Sequence, residues 1–324
     1  MNISDTKLIK AGQNVASIDI GSHTARILIA QCTGSADLFH PLFRKEEYTS
    51  LGNDFVDDSK RSISEKAIER VLKVLGEFAA YSENYNIEDT WAVSTGVFRK
   101  ADNSNYLLGL IKEQIGFDVE RITGEREALL TRMGILHSLD FGEKSQVIFD
   151  LGGATTEFVI EFGSKTSIES IPLGALVLTR RFFKKDPPGK NSLKKLSVYI
   201  DNVLRKTFPE EIIPGKDSII IGSGGTATTL AAMIYGIDIE EITPDKLNGL
   251  IIESSWIRGL CDKIIGMKRK ERLTLTGLDR GRADVILAGV LIIVGILNFF
   301  RFRTMIVSYS DILEGIIIEH LKGE

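Results

Sequence analysis

The sequence predicts an α/β protein of two domains built on a repeated structural unit. Three observations lead there. The chain has 324 residues, and at roughly 100–200 residues per domain that length suggests two. Apolar strand-like runs alternate with segments of helical period. One strand–turn–strand pattern also occurs in each half. Ser17-Ile18-Asp19-Ile20-Gly21-Ser22 returns as Ile148-Phe149-Asp150-Leu151-Gly152-Gly153. Each copy is a buried strand ending in Asp, then one apolar residue, then Gly, which marks an internal repeat.

The elements follow in order. Val15–Ile20 reads as a buried strand, Gly21 and Ser22 as a turn, and Ala25–Ala30 as a second strand. Ser62–Tyr81 has helical spacing at Ile68, Val71, Leu72, Leu75 and Phe78, with Ser62 and Glu65 as its capping box. Thr90–Val93 and Phe117–Ile122 are short strands, and Glu125–Leu139 is helical. In the second half, strand Gln146–Asp150 leads through a glycine turn into strand Thr156–Glu161. A third glycine turn, Gly222-Ser223-Gly224-Gly225-Thr226, follows strand Ser218–Ile221 and opens helix Thr226–Tyr235. Val285–Phe300 is almost wholly apolar, shorter than the ~20 residues a membrane span needs, and interrupted by Asn298. It reads as a buried helix, with Gly289 and Gly295 suited to close packing. The expected division is residues 1–128 and 129–305, with a last helix within 306–324 folding back on the first domain.

Composition narrows the function classes. Apolar residues make up 43% and charged residues 26%, enough for a large core without staples. The net charge of -4 argues against a general nucleic-acid binder, though a local field still allows an anionic ligand. Cys32 and Cys261 match no metal spacing and suit a reducing compartment. Met1–Lys10 lacks the apolar core of a signal peptide. A cytoplasmic protein with no membrane partner is expected.

The two Asp-x-Gly hairpins suit phosphate. Glycine lets backbone N–H groups approach phosphate oxygens without a Cβ in the way. Ser22, Thr24, Thr155 and Thr156 add hydroxyls. Asp19, Asp150 and Glu157 supply hard oxygen ligands for Mg²⁺ or Mn²⁺, usually through water. Asp-Gly and Gly-Gly also form turns in any protein; two matched copies with a third glycine turn before a helix make the case.

These residues resemble a known family. Asp19-Ile20-Gly21-Ser22-His23-Thr24-Ala25-Arg26 and Asp150-Leu151-Gly152-Gly153-Ala154-Thr155-Thr156-Glu157 look like the two phosphate motifs of the exopolyphosphatase and guanosine pentaphosphate phosphohydrolase family. The resemblance continues, in order, at Ser94–Asn103, Ile122–Ala128, Gly222–Thr226 and Arg282-Ala283-Asp284. It implies an actin-like, ribonuclease H-like fold of ATPase type, with two domains facing across a central cleft. It places the catalytic carboxylate at Glu127 and a phosphate-contacting arginine at Arg99. Gly21, Ser22, Thr24, Arg26, Gly152, Gly153, Thr155, Gly222, Ser223, Gly224, Gly225 and Thr226 become the phosphate contacts. The implied reaction is metal-assisted, in-line attack of water that releases terminal orthophosphate from polyphosphate or guanosine pentaphosphate. Without the resemblance, Glu127 and Arg99 would read as ordinary surface charges.

The chain departs from the family pattern at several positions. His23 stands where Asn is usual, Ala154 for Gly, Val177 for Arg and Arg180 for Glu. Asp311 and Leu313 replace Gly and Arg, and the chain resembles the short form without a C-terminal helical domain. A basic run, Arg180, Arg181, Lys184, Lys185 and Lys190, reads first as a solvated helix face and second as a landing strip for a polyanion. Two other classes stay open on fold alone: a sugar-kinase-like phosphotransferase and a non-hydrolytic nucleotide-binding or signalling module. Paired Arg99 and Glu127 favour a hydrolase, since a mere binder needs no base. The sequence leaves the polyphosphate or guanosine pentaphosphate preference, and a homodimer, open.

Overall fold

The structure, a computed structural model, describes residues 10–54, 61–162, 165–209, 212, 215 and 217–323. Two mixed sheets carry the fold. The first orders its strands β3-β2-β1-β4-β5, where β1 is Asn14–Ile20, β2 Thr24–Cys32, β3 Phe39–Tyr48, β4 Ile87–Ser94 and β5 Val119–Arg121. The second orders β10-β11-β9-β6-β7-β8. Here β6 is Gln146–Leu151, β7 Thr156–Phe162, β8 Lys165–Ile171, β9 Ile219–Ser223, β10 Ile251–Glu253 and β11 Thr304–Val307.

The sheets repeat one plan. An antiparallel meander, β1-β2-β3 or β6-β7-β8, is joined by a parallel strand on its other side, β4 or β9. The repeat read in the sequence is thus the start of each meander. Its register makes Asp19 pair with Arg26 and Asp150 with Glu157. Arg26 and Glu157 therefore hold equivalent places in the two halves.

The helices are α1 Glu65–Asn84, α2 Ser104–Ile115, α3 Gly124–Ser138, α4 Ala175–Phe182, α5 Lys190–Thr207, α6 Gly225–Tyr235, α7 Pro244–Leu247, α8 Ser254–Ile264, α9 Arg269–Arg272, α10 Ile286–Phe300 and α11 Ile312–Lys322. Helix α1 starts later than expected. Its N-cap is Ser64, so Glu65 opens the helix and no Ser62–Glu65 capping box forms. Asn103 instead fixes the approach, accepting from Ile63 N–H and donating to its carbonyl at 2.9 and 2.8 Å.

Helix α10 is the buried spine of the second core. Its bare Gly289 and Gly295 lie against Thr226 and Ile200, as close packing requires. No helix among the described residues is long and apolar enough to cross a membrane. Strand β11 carries the second sheet to Val307, after which α11 packs on α3, β1 and β2. Helix α3 runs unbroken through residue 128, where the sequence reading divided the chain, and touches α11 on one side and β6–β8 on the other.

The α3–α11 crossing depends on two glycines. A Cβ on Gly134 would sit 1.9 Å from the Asp311 carbonyl oxygen, and one on Gly315 equally close to that of Leu130. Backbone cannot yield as a side-chain tip can, so the helices would have to part. Gly134→Ala is expected to destabilise by about 1–3 kcal/mol. Gly109→Ala, in helix α2 where a Cβ meets nothing within 4 Å, should stabilise, by about 0.5–1 kcal/mol. Urea midpoints of the two variants that move in the same direction would refute this account.

Candidate active site

The hairpin turns that follow β1 and β6 close in the same way. Gly21 N–H donates to the Thr24 carbonyl at 2.8 Å, and Gly152 N–H to that of Thr155 at 3.0 Å. The turns meet tip to tip between the sheets. Gly153 passes so near the other turn that a Cβ there would lie 2.9 Å from the His23 Cβ. The third glycine turn closes the floor. Gly224, at φ +85°, packs against Asp150, where a Cβ would come within 2.4 Å of its Oδ1.

One cleft is lined by Asp19, Gly21, Ser22, Thr24, Arg26, Glu127, Asp150, Gly152, Gly153, Thr155, Gly224, Gly225 and Thr226. Most of the sequence-derived site residues therefore converge, although they come from both sheets and three turns. Gly222 and Ser223 do not line it. They lie in β9, where Gly222 makes room for Phe149 and Met305 and Ser223 is buried beside Asp150 in register.

Arg99 does not itself line the cleft; it stands behind Glu127 and Thr155, which do. Its guanidinium bonds Glu127 through Nη1 and, through Nη2, the Thr155 hydroxyl at 3.2 Å and Glu157 at 3.1 Å. Ser170 donates to the same Glu157 oxygen at 2.7 Å. Arg99 thus reaches from the first lobe to β7 of the second. Glu127 sits in the first turn of α3, whose N-cap Thr123 accepts from Arg126 N–H. Burial and the neighbouring Glu157 push Glu127 well above the usual carboxylate range, against the pull of Arg99. Glu125, two residues earlier, is exposed.

The metal-ligand expectation meets a different arrangement. Glu157 faces Arg99 and Ser170 and does not line the cleft, whereas Asp19 and Asp150 do. Among the described residues no three His, Cys, Asp or Glu side chains form a ready metal cage. Arg26 is also spent: it holds Asp19 Oδ2 through Nε and Nη2, at 3.2 and 2.6 Å, and Asp311 through Nη1. It therefore orients Asp19, and few of its donors are left for phosphate.

The model of the Ppx/GppA phosphatase family matches residues 28–324. The chain belongs to this family. It is 28% identical over 320 residues to the bifunctional 3-dehydroquinate synthase/phosphatase of Fusobacterium nucleatum, covering 95% of the chain but 47% of that protein. It is 27% identical to exopolyphosphatase 2 of Mycobacterium tuberculosis, covering 94% of the chain and 97% of the relative. Among solved structures, the Ppx/GppA family member of Aquifex aeolicus superposes with a TM-score of 0.77 at 31% identity, covering 96% of the chain and 99% of that structure. The actin-like α/β fold and the class of phosphoanhydride hydrolase stand with the family.

Several departures from the Ppx/GppA pattern now have physical accounts. Asp311 caps α11 in a capping box with Glu314 and receives both Arg26 and Arg44. Burial would raise its carboxyl, but the two arginines outweigh that and hold it below the usual range. Leu313, in the first turn of α11, is fully buried against residues of β1 and β2. A charged side chain there would lose its water. Ala154 packs its methyl on the first lobe's core. His23 lines the cleft with both ring nitrogens buried. Burial and Arg282 lower it to about 4, so the ring is neutral at ordinary pH.

Sequence reasoning missed a second wall. Arg282 stacks on Gly225 and bonds Glu46 of β3 across the cleft. Beside that pair, Tyr48 donates to Asp279 at 2.5 Å. The family-like Arg282-Ala283-Asp284 was a signal without a role. Glu46 and Tyr48 gave none, because β3 is an exposed edge strand with Pro41 and no clean alternation.

Proposed function

We propose that this chain hydrolyses the terminal phosphoanhydride of inorganic polyphosphate, and of guanosine pentaphosphate where the same end is presented. The observation that carries the reading is buried Glu127, held by Arg99 from behind, opening onto two abutting phosphate turns. A nucleotide-binding module has no use for a buried base there. The exopolyphosphatase relatives support the polyphosphate substrate.

Each residue has a part. Ionised Glu127 takes a proton from water as its oxygen attacks the terminal phosphorus in line. The bridging P–O bond breaks, and the shortened chain leaves on that oxygen. Arg99, from behind Glu127, favours the charge on the equatorial oxygens with its own, while Glu157 and Thr155 hold the guanidinium plane. Backbone N–H groups of the turns receive the next phosphates.

Asp19 and Asp150 are the two carboxylates that would hold a Mg²⁺ or Mn²⁺ ion at the cleft. The fit rests on Asp150, whose buried carboxylate no arginine bonds and whose hydrogen-bond partner is the Thr131 hydroxyl at 3.4 Å. When bound, the ion neutralises phosphate charge. Glu157 is left out of this set.

Phosphate release from polyphosphate, guanosine pentaphosphate and ATP, measured in parallel with Mg²⁺, tests the reading. Release is expected from polyphosphate and guanosine pentaphosphate well above ATP. No release from the first two would overturn it.

A further inference from the structure

Asp311, the buried N-cap of α11, does not line the cleft but reaches it through Arg26. Arg26 spans two carboxylates. Its Nη1 bonds Asp311 Oδ2, while Nε and Nη2 bond Asp19 Oδ2 at 3.2 and 2.6 Å. Both of the latter bonds fall on one oxygen of Asp19. The other, Oδ1, receives the Thr95 hydroxyl at 3.3 Å. Asp311 is fixed in turn. Its Oδ1 accepts from Arg44 at 3.0 Å and from Leu313 N–H at 3.1 Å, and Arg44 continues to Glu314.

Carboxylates and guanidiniums thus alternate in one row: Asp19, Arg26, Asp311, Arg44, Glu314. With all five ionised the row carries one excess negative charge. No side chain in it is more than 17% exposed, so water screens these charges weakly. The two arginines hold Asp311 ionised, below the usual carboxylate range. The charge of Arg26 is therefore divided between two partners. Without the charge of Asp311, Arg26 would rest on Asp19 alone, and a cation at Asp19 would compete with an undivided guanidinium. Arg26 would also lose the anchor that holds its plane against Asp19. Glycine, usual in the family pattern at position 311, offers no carboxylate, so this arrangement belongs to the chain itself.

We infer that Asp311 is a positioning residue for cation binding: by sharing Arg26 it keeps Asp19 oriented and negatively charged toward a divalent ion. The inference rests on the proposed Mg²⁺ or Mn²⁺ site at Asp19 and Asp150. It adds a third carboxylate to that site, one that acts through Arg26.

The test is Asp311→Asn. Asparagine keeps the shape and the cap acceptor for Leu313 N–H, and it removes the charge. The backbone carbonyl that meets Gly134 of α3 is untouched. Glu314→Gln is the control, since it breaks the same row at its far end and spares Arg26. Mn²⁺ binding to each substrate-free chain is titrated at pH 8 by electron paramagnetic resonance of the free ion. Asp311→Asn is expected to raise the Mn²⁺ Kd by about tenfold, within the range for side chains coupled in one salt-bridge network. Glu314→Gln should leave it within threefold of the native value. The Mg²⁺ concentration for half-maximal phosphate release should rise in parallel in the asparagine variant. A merely structural cap would lower the urea midpoint of both variants and move neither metal constant. A Kd for Asp311→Asn within threefold of native, or an equal rise in both variants, overturns the inference and leaves the cation site standing. Asp311→Ser, also a good cap without charge, takes the place of the asparagine if that variant does not fold. A native chain that binds no Mn²⁺ at millimolar concentration overturns the cation site itself, and the inference with it.

Discussion

Glu127→Gln is expected to lower kcat on polyphosphate by about 10²–10⁴, the usual worth of a general base. The change keeps shape and one hydrogen-bond acceptor for Arg99, so the α3 turn and the cleft should survive. KM should move little, because the missing step belongs to the transition state. Glu125→Gln is the control: its side chain is exposed, and the variant should stay within a few-fold of the native rate. The pH profile adds a second readout. Burial, then Glu157, raises Glu127 above the ordinary carboxylate range. The base must be ionised to work, so kcat/KM should fall on the acid side earlier than an exposed glutamate would cause. An unperturbed acid limb, or a Glu125→Gln variant as damaged as Glu127→Gln, would sink the assignment.

What the sequence disclosed and what it withheld follow from the range of each interaction. The Asp-x-Gly hairpins were legible because buried strands and turn glycines are local patterns, and register then fixed Asp19 and Asp150 at equivalent sites. The buried α10 was legible from composition alone. Pairing was not. Arg26 and Asp311 are 285 positions apart, and nothing local tells that Asp311 is both a helix cap and the partner of two arginines. Glu157 looked like a metal ligand because it is acidic and follows a phosphate turn. Its counterion, Arg99, lies 58 residues upstream on the other lobe. Glu46 and Tyr48 were hidden for another reason: an edge strand with mostly half-exposed residues carries no periodic signal.

Asp150→Asn is expected to abolish metal-dependent hydrolysis while making the ligand-free chain more stable at pH 8. Burial raises the Asp150 carboxyl to about 7, with Asp311, Glu157 and Asp19 adding to it and Arg26 opposing. Its ordinary value is 3.8. The folded pKa lies above the unfolded one, so the native state holds a proton that the unfolded chain releases between these two values. Stability from this group therefore falls as pH rises through that window. Above pH 7 the ionised carboxylate is a net cost, on the order of 4 kcal/mol. A bound cation offsets that cost, so Mg²⁺ should raise the Tm of the native chain at pH 8, and saturably. Below about pH 7 protons compete for Asp150, and apparent Mg²⁺ affinity should weaken by about tenfold per pH unit. The asparagine keeps an acceptor for the Thr131 hydroxyl and carries no charge to desolvate. Its Tm in chelator at pH 8 should exceed the native value, and Mg²⁺ should add little. Equal Mg²⁺ stabilisation of both proteins would place the ion away from Asp150. A lower Tm for the variant in chelator would show that the buried carboxylate is compensated by the protein alone, and the case for a cation at this turn would fail.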